Sequence, residues 1–286
     1  MKVLVTGGKG QLGFELKKIS LKKNSIKWLF TDRKSFDISD LGNIDVYLNC
    51  LNPDLIINCA AFTSVDSAED NFDIANIVNH KAVNIIAKWC NDNGCKLFHI
   101  STDYVFDGNS QIPYLETDLT NPLNNYGKSK LLGETACQAN NPSSIIIRTS
   151  WLYSSYGDNF VTNMINLMNE NDQIKVVDDQ FGCPTYAGDL ADTLLQVIIN
   201  NKWYPGIYHY TNSGVTSWYN FANEIKYIYG FSTIIKAIPT NELFLNSIRP
   251  KYSVLDNSKI INTFKIKQMN YLESLKKCVN KLQNEL

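Results

Sequence analysis

The sequence predicts an α/β protein in which a doubly wound parallel sheet carries a smaller C-terminal α/β lobe. Two observations support this prediction. Short apolar runs alternate with helix-like segments through the first half of the 286 residues, and strands that alternate with helices form crossover units and a parallel sheet covered on both faces. After about residue 155 the alternation loosens, and mostly helical segments surround short strand candidates such as IKVV and GIYHY.

The predicted elements follow one another without a repeat or an evident linker. The longest helical pattern, DIANIVNHKAVNIIAKWCNDNG, has apolar residues at spacings of three and four. We expect residues 1–155, with parts of the later chain, to form the sheet domain. Residues 156–286 should form mainly a lobe that binds the substrate. The predicted strands of the first half are KVLVT, IKWLFT, DLIINC, KLFHIS and SIIIRTS.

Composition argues against several functional classes. The formal net charge is -1 with both signs spread along the chain, so we expect no nucleic-acid partner and no anionic membrane surface. No apolar stretch approaches the ~20 residues of a membrane span, and MKVLVTGG does not resemble a secretory signal. The seven cysteines lack paired metal spacing, and a reduced cytoplasmic protein with buried thiols is the simplest interpretation.

A glycine-rich turn follows the first predicted strand. In VLVTGGKGQLG, Gly7 permits the tight turn, Gly10 lets a pyrophosphate approach the backbone, and Gly13 lets helix and strand pack closely. The helix N-terminus then offers free N–H groups to the anion. A strand–turn–helix without a ligand is the alternative, but Asp32 at the end of the second strand favours dinucleotide binding in a Rossmann-type fold.

The residues after the second and third strands suggest further cofactor contacts. Asp32 can accept hydrogen bonds from the ribose hydroxyls of NAD, whereas Arg33 could hold the 2′-phosphate of NADP, so the choice between NADH and NADPH stays open. Asp37 and Ile38 could flank the adenine, although a helix N-cap is equally plausible for Asp37. Small residues in INCAAFT, including Ala61, would let the cofactor pass closely, and they are also ordinary packing residues.

A tyrosine and a lysine four residues apart form the predicted reaction centre. Tyr126 and Lys130 lie on one helix face. A phenol with a pKa near ~10 is a poor acid or base at neutral pH unless a cation such as Lys130 stabilises its phenolate. Ser101, Thr102 and Asp103 end a strand at the carboxyl edge of the sheet, where open α/β folds bind ligands. Tyr-x-x-x-Lys alone usually marks an exposed helix, but the glycine turn and this strand end favour chemistry.

TGxxGxxG, the Ser-Thr strand end and YxxxK resemble the extended short-chain dehydrogenase/reductase superfamily. More narrowly, the chain is similar from end to end to the dTDP-4-dehydrorhamnose reductase family, for which STDYVFDG and RTSWLY…DQFGCPT are specific. The resemblance implies reduction of the C4 ketone of dTDP-4-dehydro-L-rhamnose to dTDP-L-rhamnose with NADPH or NADH, for bacterial surface polysaccharide. The other matching segments are GGKGQLG, CAAFTSVDSAE, PLNNYGKSKLLGE, GIYHYTNSGVTSW and IRPKYSVLD.

The resemblance also implies roles for individual residues. Tyr126 becomes the proton donor, Lys130 its partner and Thr102 the third catalytic residue, while Asp103 and Trp151 become sugar contacts. Stacking of Trp151 on a deoxyhexose is physically sensible, and a core indole is the alternative. The implied cofactor contacts are Gly10, Gln11 and Leu12 at the pyrophosphate, Asp32 at the adenosine ribose, Asp37 and Ile38 near the adenine, and Ala61, Phe62 and Thr63 at the strand end.

Several features leave the finer properties open. Phe62 stands where the family often has Tyr or His, and Arg249 could meet the nucleotide diphosphate or anchor the C-terminal lobe. Some members of the family bind Mg²⁺ at a dimer contact, so the resemblance allows Mg²⁺ and a homodimer. Scattered acids such as Glu15 and Glu170 show no metal-site spacing, and we assign no metal ligand.

The rival functions are a 4-epimerase, a 4,6-dehydratase, a reductase of another nucleotide ketosugar and a non-catalytic binding subunit. Dehydratases that resemble this fold carry Thr-Asp-Glu, and Tyr104 occupies the Glu position, so elimination lacks its base. The joint presence of Thr102, Tyr126 and Lys130 argues against a non-catalytic subunit. The choice of dTDP or UDP stays open because thymine and uracil differ by one methyl group.

Overall fold

The computed structural model describes residues 1–21, 25–200, 202–243 and 245–284. Strands and helices alternate through its first half, as the sequence predicts. The strands are β1 (Lys2–Thr6), β2 (Lys27–Phe30), β3 (Leu55–Asn58), β4 (Lys96–Thr102), β5 (Ile145–Thr149), β6 (Leu152–Tyr153), β7 (Gln173–Val177), β8 (Phe181–Gly182), β9 (Thr185–Tyr186), β10 (Gly206–His209), β11 (Thr216–Ser217) and β12 (Ile234–Ile238).

The helices fall between these strands and close the chain. The described residues also contain a π-helical turn, Ile77–Lys81, and two short 3₁₀ turns, Asp103–Val105 and Thr240–Glu242. The α-helices are α1 (Gln11–Ser20), α2 (Ile44–Leu51), α3 (Val65–Asp70), α4 (Phe72–Asn76), α5 (Ala82–Asp92), α6 (Asn125–Asn140), α7 (Phe160–Glu170), α8 (Ala187–Ile199), α9 (Trp218–Tyr229), α10 (Ser258–Phe264) and α11 (Tyr271–Asn284).

The central sheet has six strands in the spatial order β2-β1-β3-β4-β5-β10. Every neighbouring pair in it is parallel, so the predicted doubly wound parallel sheet is confirmed. The strand order changes direction at β1, and such a switch point opens a crevice outside the carboxyl ends of the strands. The loops after β1 and β3 border this crevice, and β4 ends beside it.

Helices bury the sheet on both faces. Successive side chains of a strand point to opposite sides of the sheet and therefore enter different apolar clusters. Val3 and Val5 contribute to one apolar cluster together with α1, α8 and α10, whereas Leu4 contributes to a second cluster with α2 and α5. Strands covered on both faces read as continuous apolar runs rather than alternating ones. This explains why β3, with the sequence LIIN, is buried throughout.

A third apolar cluster forms the core of the later half of the chain. It joins α7, α9 and α11 to β7 and β12, and Tyr153, Phe221 and Leu275 lie at 1%, 0% and 0% exposure within it. The strands β7 and β12 pair in parallel. The later chain also returns to the central sheet, because β10 pairs with β5. None of the helices in the described part of the chain has the length and apolar character that a membrane crossing demands.

Candidate active site

The turn between β1 and α1 forms a backbone cradle at the switch point of the sheet. Gly7 has φ +65°, and a Cβ atom there would lie 2.8 Å from the Ala60 nitrogen. A Cβ at Gly13 would lie 2.5 Å from the Gly7 oxygen, so neither glycine can be replaced without movement of the backbone. At Gly10 a Cβ would meet only the Gly7 oxygen, at 3.3 Å. The turn is thus closed towards β3 and more open at Gly10, as a pyrophosphate-binding turn requires.

The start of α1 is suited to an anion. Gly10 is the N-cap and supplies no side-chain cap to the first free N–H groups of the helix. The buried Gln11 Oε1 atom has no hydrogen-bond partner within the described residues. Leu12, in contrast, packs its side chain in the core at 4% exposure, so only its backbone can meet a ligand. The residues of this turn therefore fit the pyrophosphate of a dinucleotide.

Asp32 lies at the carboxyl end of β2 and is already engaged with neighbouring groups. Its carboxylate forms an ion pair with Lys9 of the glycine turn and accepts hydrogen bonds from the Lys34 amide at 3.1 Å and the Ser35 hydroxyl at 2.9 Å. The hydrogen bond from Lys9 is the main reason why the pKa of Asp32 is well below its usual range. A ribose hydroxyl at Asp32 would share the carboxylate with this ammonium group.

Asp37 and Ile38, which the sequence places near the adenine, both make contacts within the protein. The Asp37 carboxylate accepts hydrogen bonds from both the amide and the hydroxyl of Ser39, at 2.9 and 2.6 Å, and pairs with Arg33 at 3.1 Å. It therefore closes a local turn and caps no helix. Ile38 is 5% exposed and belongs to the apolar cluster beneath the sheet. Neither side chain is thereby assigned to adenine, and these two contacts stay predictions.

The strand end after β3 is held by an asparagine that the sequence analysis missed. Asn79 is 1% exposed in the π-helical turn. Its Oδ1 accepts a hydrogen bond from the Phe62 amide at 2.9 Å, and its Nδ2 donates to the Phe62 carbonyl at 3.0 Å and to the Ser129 hydroxyl at 2.9 Å. Asn79 thus connects the predicted cofactor segment of Ala61 and Thr63 with the YGKSK segment. Periodicity could not reveal it, because an asparagine within a helical pattern ordinarily faces solvent.

The π-helical turn also corrects the predicted helix. The segment 73–94 reads as one amphipathic helix, but the structure divides it into α4, the π turn and α5. A π-helical turn inserts an extra residue and reorients the neighbouring side chains, and such turns are frequent at functional sites. Here the turn accompanies the inward position of Asn79.

Tyr126 and Thr102 meet at the junction of α6 and β4. Tyr126 lies in the first turn of α6, and the Thr102 hydroxyl lies close enough to the phenol to influence its pKa. Burial is the larger influence and raises the pKa of Tyr126 above its ordinary value of 10.0, while the Thr102 hydrogen bond opposes it. The phenol therefore carries its proton at neutral pH, as a proton donor must.

Lys130 lies one helical turn further along α6 and is 2% exposed. Its ammonium group donates a hydrogen bond to the Ile100 carbonyl at 2.6 Å. Burial lowers the pKa of Lys130 to about 8, and the Glu134 carboxylate opposes that effect. The sequence led us to expect that Lys130 would lower the pKa of Tyr126. Desolvation dominates in this structure, so the net shift of the Tyr126 pKa is upward.

Close backbone contacts fix α6 in this position. The Asn124 side chain caps the helix by accepting a hydrogen bond from the Gly127 amide at 2.8 Å. A Cβ at Gly127 would lie 2.1 Å from the backbone carbonyl oxygen of Tyr104, and one at Gly133 would lie 2.0 Å from the backbone carbonyl oxygen of Asn79. The helix that bears the tyrosine and the lysine therefore rests directly on the backbone of its neighbours.

Asp103 follows Thr102 and is buried at 2% exposure. Its Oδ1 accepts a hydrogen bond from the Thr102 hydroxyl at 3.1 Å, and its Oδ2 has no partner among the described residues. Burial raises the pKa of Asp103 to about 7, against the opposing hydrogen bonds from Ser253 and Thr102. This buried oxygen without a partner belongs to the residue after Thr102, which the resemblance assigns to a sugar contact.

Trp151 lies beyond the end of β5 with a positive φ of 47°, and its surroundings differ from those that a sugar platform requires. Its indole stacks on Trp218, with ring centroids 3.4 Å apart and an angle of 6° between the planes. A Cβ at Gly182 would lie 2.5 Å from the Trp151 ring. One face of the indole is therefore covered by protein and is closed to a sugar, which corresponds to the core alternative for that face.

Arg249 anchors the C-terminal segment. One guanidinium nitrogen donates to Asp66 at 2.6 Å and another to the Tyr104 hydroxyl at 3.3 Å. The Tyr104 ring in turn packs edge-on against Tyr126, with centroids 5.7 Å apart. Of the two alternatives that the sequence left open, the contacts of Arg249 are those of an anchor beside the reaction centre.

The acidic residues do not fit a divalent cation. Glu15 is 2% exposed and accepts hydrogen bonds from Ser154 at 2.7 Å and Tyr186 at 3.0 Å. Its remaining oxygen faces the Lys281 ammonium at 3.7 Å. No group of three or more His, Cys, Asp or Glu side chains suited to a metal occurs in the described residues. An ammonium group thus compensates the charge of Glu15.

Comparisons with known proteins agree with this geometry. The family model described as "RmlD substrate binding domain" matches residues 1–284. The "Spore coat polysaccharide biosynthesis protein SpsK" of Bacillus subtilis is 41% identical over 91% of this chain and 90% of its own. A crystal structure of a dTDP-4-dehydrorhamnose reductase from Clostridium acetobutylicum has a TM-score of 0.94 and 40% identity, and covers 99% of this chain and 100% of its own. A dTDP-4-dehydrorhamnose reductase from Bacillus anthracis in complex with NADP has a TM-score of 0.93 and 35% identity, and covers 98% and 99%.

Proposed function

The chain belongs to the RmlD substrate binding domain family, and on that premise we propose that it reduces the C4 ketone of dTDP-4-dehydro-L-rhamnose to dTDP-L-rhamnose. One observation carries the proposal. Thr102 at the end of β4, Tyr126 in the first turn of α6 and the buried Lys130 come together at the sheet edge that also bears the glycine turn. Related proteins over the full length are dTDP-4-dehydrorhamnose reductases. The family resemblance predicted from the motifs is thereby confirmed.

The nicotinamide supplies a hydride to the sugar C4 carbon when the cofactor is bound, and the residues of this chain manage the oxygen. The protonated Tyr126 phenol donates its proton to the developing alkoxide. The Thr102 hydroxyl stabilises the same oxygen by a hydrogen bond. The Lys130 ammonium then stabilises the phenolate that remains, because a nearby cation favours the charged form of a tyrosine. Hydride and proton together convert the ketone to an alcohol.

The glycine turn would hold the pyrophosphate of the cofactor through Gly10 and the start of α1. NADPH is supported by the related Bacillus anthracis enzyme, whose crystal structure is a complex with NADP. It is also supported by two cations after β1 and β2, Lys9, which pairs with Asp32, and Arg33, which pairs with Asp37. The Asp32 carboxylate suits the ribose hydroxyls of NADH. We therefore propose that a reduced nicotinamide dinucleotide, NADPH or NADH, is the hydride donor.

The later half of the chain would bind the dTDP-sugar, mainly through residues 156–286. This part of the chain has its own apolar core, formed by α7, α9 and α11, which supports a substrate-binding lobe distinct from the sheet domain. Catalysis in the cytoplasm fits an enzyme that uses a reduced nicotinamide and a nucleotide sugar. The homodimer that the resemblance implies stays a prediction, which sedimentation velocity of the purified protein can test.

The decisive experiment mixes the purified protein with dTDP-4-dehydro-L-rhamnose and NADPH and follows oxidation of the nicotinamide by absorbance. Parallel reactions use NADH in place of NADPH and a UDP-ketosugar in place of the dTDP-sugar. Identification of dTDP-L-rhamnose as the product supports the proposal. Tightly bound stoichiometric NAD⁺ in the purified protein, with an epimerised product and no net oxidation, would make it an epimerase instead.

A further inference from the structure

A buried carboxylate lies one helical turn beyond Lys130. Glu134 is 1% exposed, and residues four apart on a helix share one face. Its Oε1 accepts a hydrogen bond from the Ser101 hydroxyl at 2.5 Å. Arg148 holds both oxygens, with Nε 3.0 Å from Oε1 and Nη2 2.7 Å from Oε2. This cluster was not part of the sequence-based site.

The cluster connects the two elements that carry the reaction centre. Glu134 belongs to α6, which bears Tyr126, and Ser101 immediately precedes Thr102 at the end of β4. Arg148 lies on β5, the next strand of the sheet. A bidentate guanidinium–carboxylate pair restrains distance and orientation together. The pair therefore fixes α6 relative to the strand end that presents the threonine.

We propose that Glu134 is a positioning residue of this reductase, whose carboxylate keeps Lys130 in its charged form and, with Ser101 and Arg148, holds α6 against the sheet. The inference rests on the proposed function, because it assigns the charge of Lys130 a role in turnover. It extends that function to a residue that contacts neither substrate nor cofactor.

The other groups that face Lys130 carry no charge at neutral pH. Burial raises the pKa of the Cys59 thiol to about 12 and that of the Cys137 thiol to about 11. His99, on β4, is buried, and its pKa lies well below its ordinary value of 6.5. The Glu134 carboxylate has the largest effect in opposing the lowering of the Lys130 pKa by burial. Among these neighbours it alone supplies negative charge.

Arg148 forms a buried ion pair with Glu134. Its guanidinium group pairs with the carboxylate at 2.7 Å and lies over the Phe106 ring, 5.0 Å from the centroid. Its Nη1 lies 3.4 Å from His209 Nε2, and the pKa of His209 is lowered to about 3, mainly by burial, so this imidazole is neutral. Lys130, four residues away on the same helix, remains as a neighbouring cation for Glu134 when Arg148 is replaced.

The two members of the pair should affect Lys130 in opposite ways. Removal of the Glu134 charge leaves the buried ammonium without its nearby anion, so the pKa of Lys130 falls from about 8 to a lower value. Lys130 then loses its proton at a lower pH, and the alkaline limb of the activity profile moves to lower pH. Removal of the Arg148 charge alone cannot lower the pKa of Lys130, because it takes away a cation.

The test compares Glu134→Gln, Arg148→Met and the double variant. Glu134→Gln alone leaves Arg148 buried and unpaired, which can prevent folding, whereas removal of both charges is tolerated far better. Glu134→Asp restores the negative charge and serves as the conservative control. The measurements are the pH dependence of kcat with NADPH and the dTDP-ketosugar, and a direct titration of the Lys130 side chain by NMR with ¹³C-labelled lysine. Lys130→Met assigns the resonance.

In the double variant we expect the pKa of Lys130 to be lower than in the wild type by about one unit or more. The alkaline limb of the kcat profile should move to lower pH by the same amount. In Arg148→Met and in Glu134→Asp, neither the pKa of Lys130 nor the alkaline limb of the kcat profile should shift to lower pH. An unchanged Lys130 titration in the double variant would overturn the inference. The NMR titration needs no substrate, so a wild-type protein that lacks turnover refutes the proposed function, whereas the Lys130 titration decides the role of Glu134 separately.

Discussion

The side chain of Asn79 satisfies both backbone polar groups of Phe62, accepting from its amide at 2.9 Å and donating to its carbonyl at 3.0 Å. The same amide group reaches the Ser129 hydroxyl, between Tyr126 and Lys130 in sequence. One asparagine thus links the loop after β3 with the helix that bears the proposed proton donor. Cofactor binding and catalysis should therefore share a structural support.

Replacement of Asn79 by Ala should destabilise the protein and weaken cofactor binding. The change leaves the amide and carbonyl of Phe62 without their partner, and each buried unsatisfied group costs about 1–3 kcal/mol. We expect a loss of at least about 2 kcal/mol in urea unfolding and a higher Kd for NADPH. Asn91→Ala, at an exposed position of α5, is the matched control. Equal stability of the two variants would contradict the role of Asn79.

The sequence predicted the sheet well because apolar runs and glycine turns are local signals. The π-helical turn and Asn79 were not predictable, since whether a polar residue in a helical pattern faces inward depends on a loop 17 residues away in sequence. The pairing of Glu134 with Arg148 was hidden for the same reason. A charged residue usually lies at the surface, and the packing of α6 against β4, the neighbour of β5 in the sheet, makes this pair internal.

Tyr126→Phe should abolish most of the turnover. The variant retains the aromatic ring that packs against Tyr104 but has no proton to donate to the alkoxide. General-acid contributions of this kind predict a decrease in kcat of at least ~100-fold, with little change in the Kd of NADPH. Tyr227→Phe removes a hydroxyl from a side chain that is 83% exposed and should be neutral. Near-wild-type kcat in Tyr126→Phe would remove this tyrosine from the mechanism.

The buried Asp103 should make the protein less stable as the pH rises from about 4 to about 7. Burial raises its pKa from 3.8 to about 7, so within this range the native carboxyl keeps a proton that the unfolded chain has lost. Stability then falls by about 1.4 kcal/mol for each pH unit, until both states are ionised. The contribution is favourable below the lower pKa and is lost as pH rises through the folded pKa.

Asp103→Asn isolates this dependence. The amide does not titrate, so any constant penalty from its buried N–H groups is the same at every pH. The stability of the variant relative to the wild type should increase by at least about 2 kcal/mol between pH 4 and pH 8, measured by urea unfolding across that range. Acid destabilisation from the buried neutral His99 and His209 occurs in both proteins and cancels. A constant difference between the two would contradict the raised pKa.

Chelation should leave the wild-type protein unchanged, because Lys281 already compensates the buried Glu15 carboxylate. Added Mg²⁺ or EDTA should leave both Tm and kcat unaltered. Lys281→Ala should lower stability by about 1–2 kcal/mol, an amount reduced by the partial exposure of the lysine. Lys276→Ala, at an exposed position of the same helix, is the control. A fall in Tm on addition of EDTA to the wild type would show that a cation is required after all.

The contact between Gly182 and Trp151 makes the last prediction. A Cβ at position 182 would lie 2.5 Å from the indole, which cannot retreat freely because Trp218 covers one of its faces. Gly182→Ala should therefore displace the ring at a cost of about 1–3 kcal/mol and alter the tryptophan fluorescence. If the displaced indole also contributes to the sugar site, KM for the dTDP-ketosugar rises while Kd for NADPH stays constant. Gly42→Ala, where a Cβ would meet only the Asp40 side chain at 4.0 Å, should change none of these quantities. Unaltered fluorescence and stability in Gly182→Ala would mean that Trp151 is held less tightly than its stacking on Trp218 indicates.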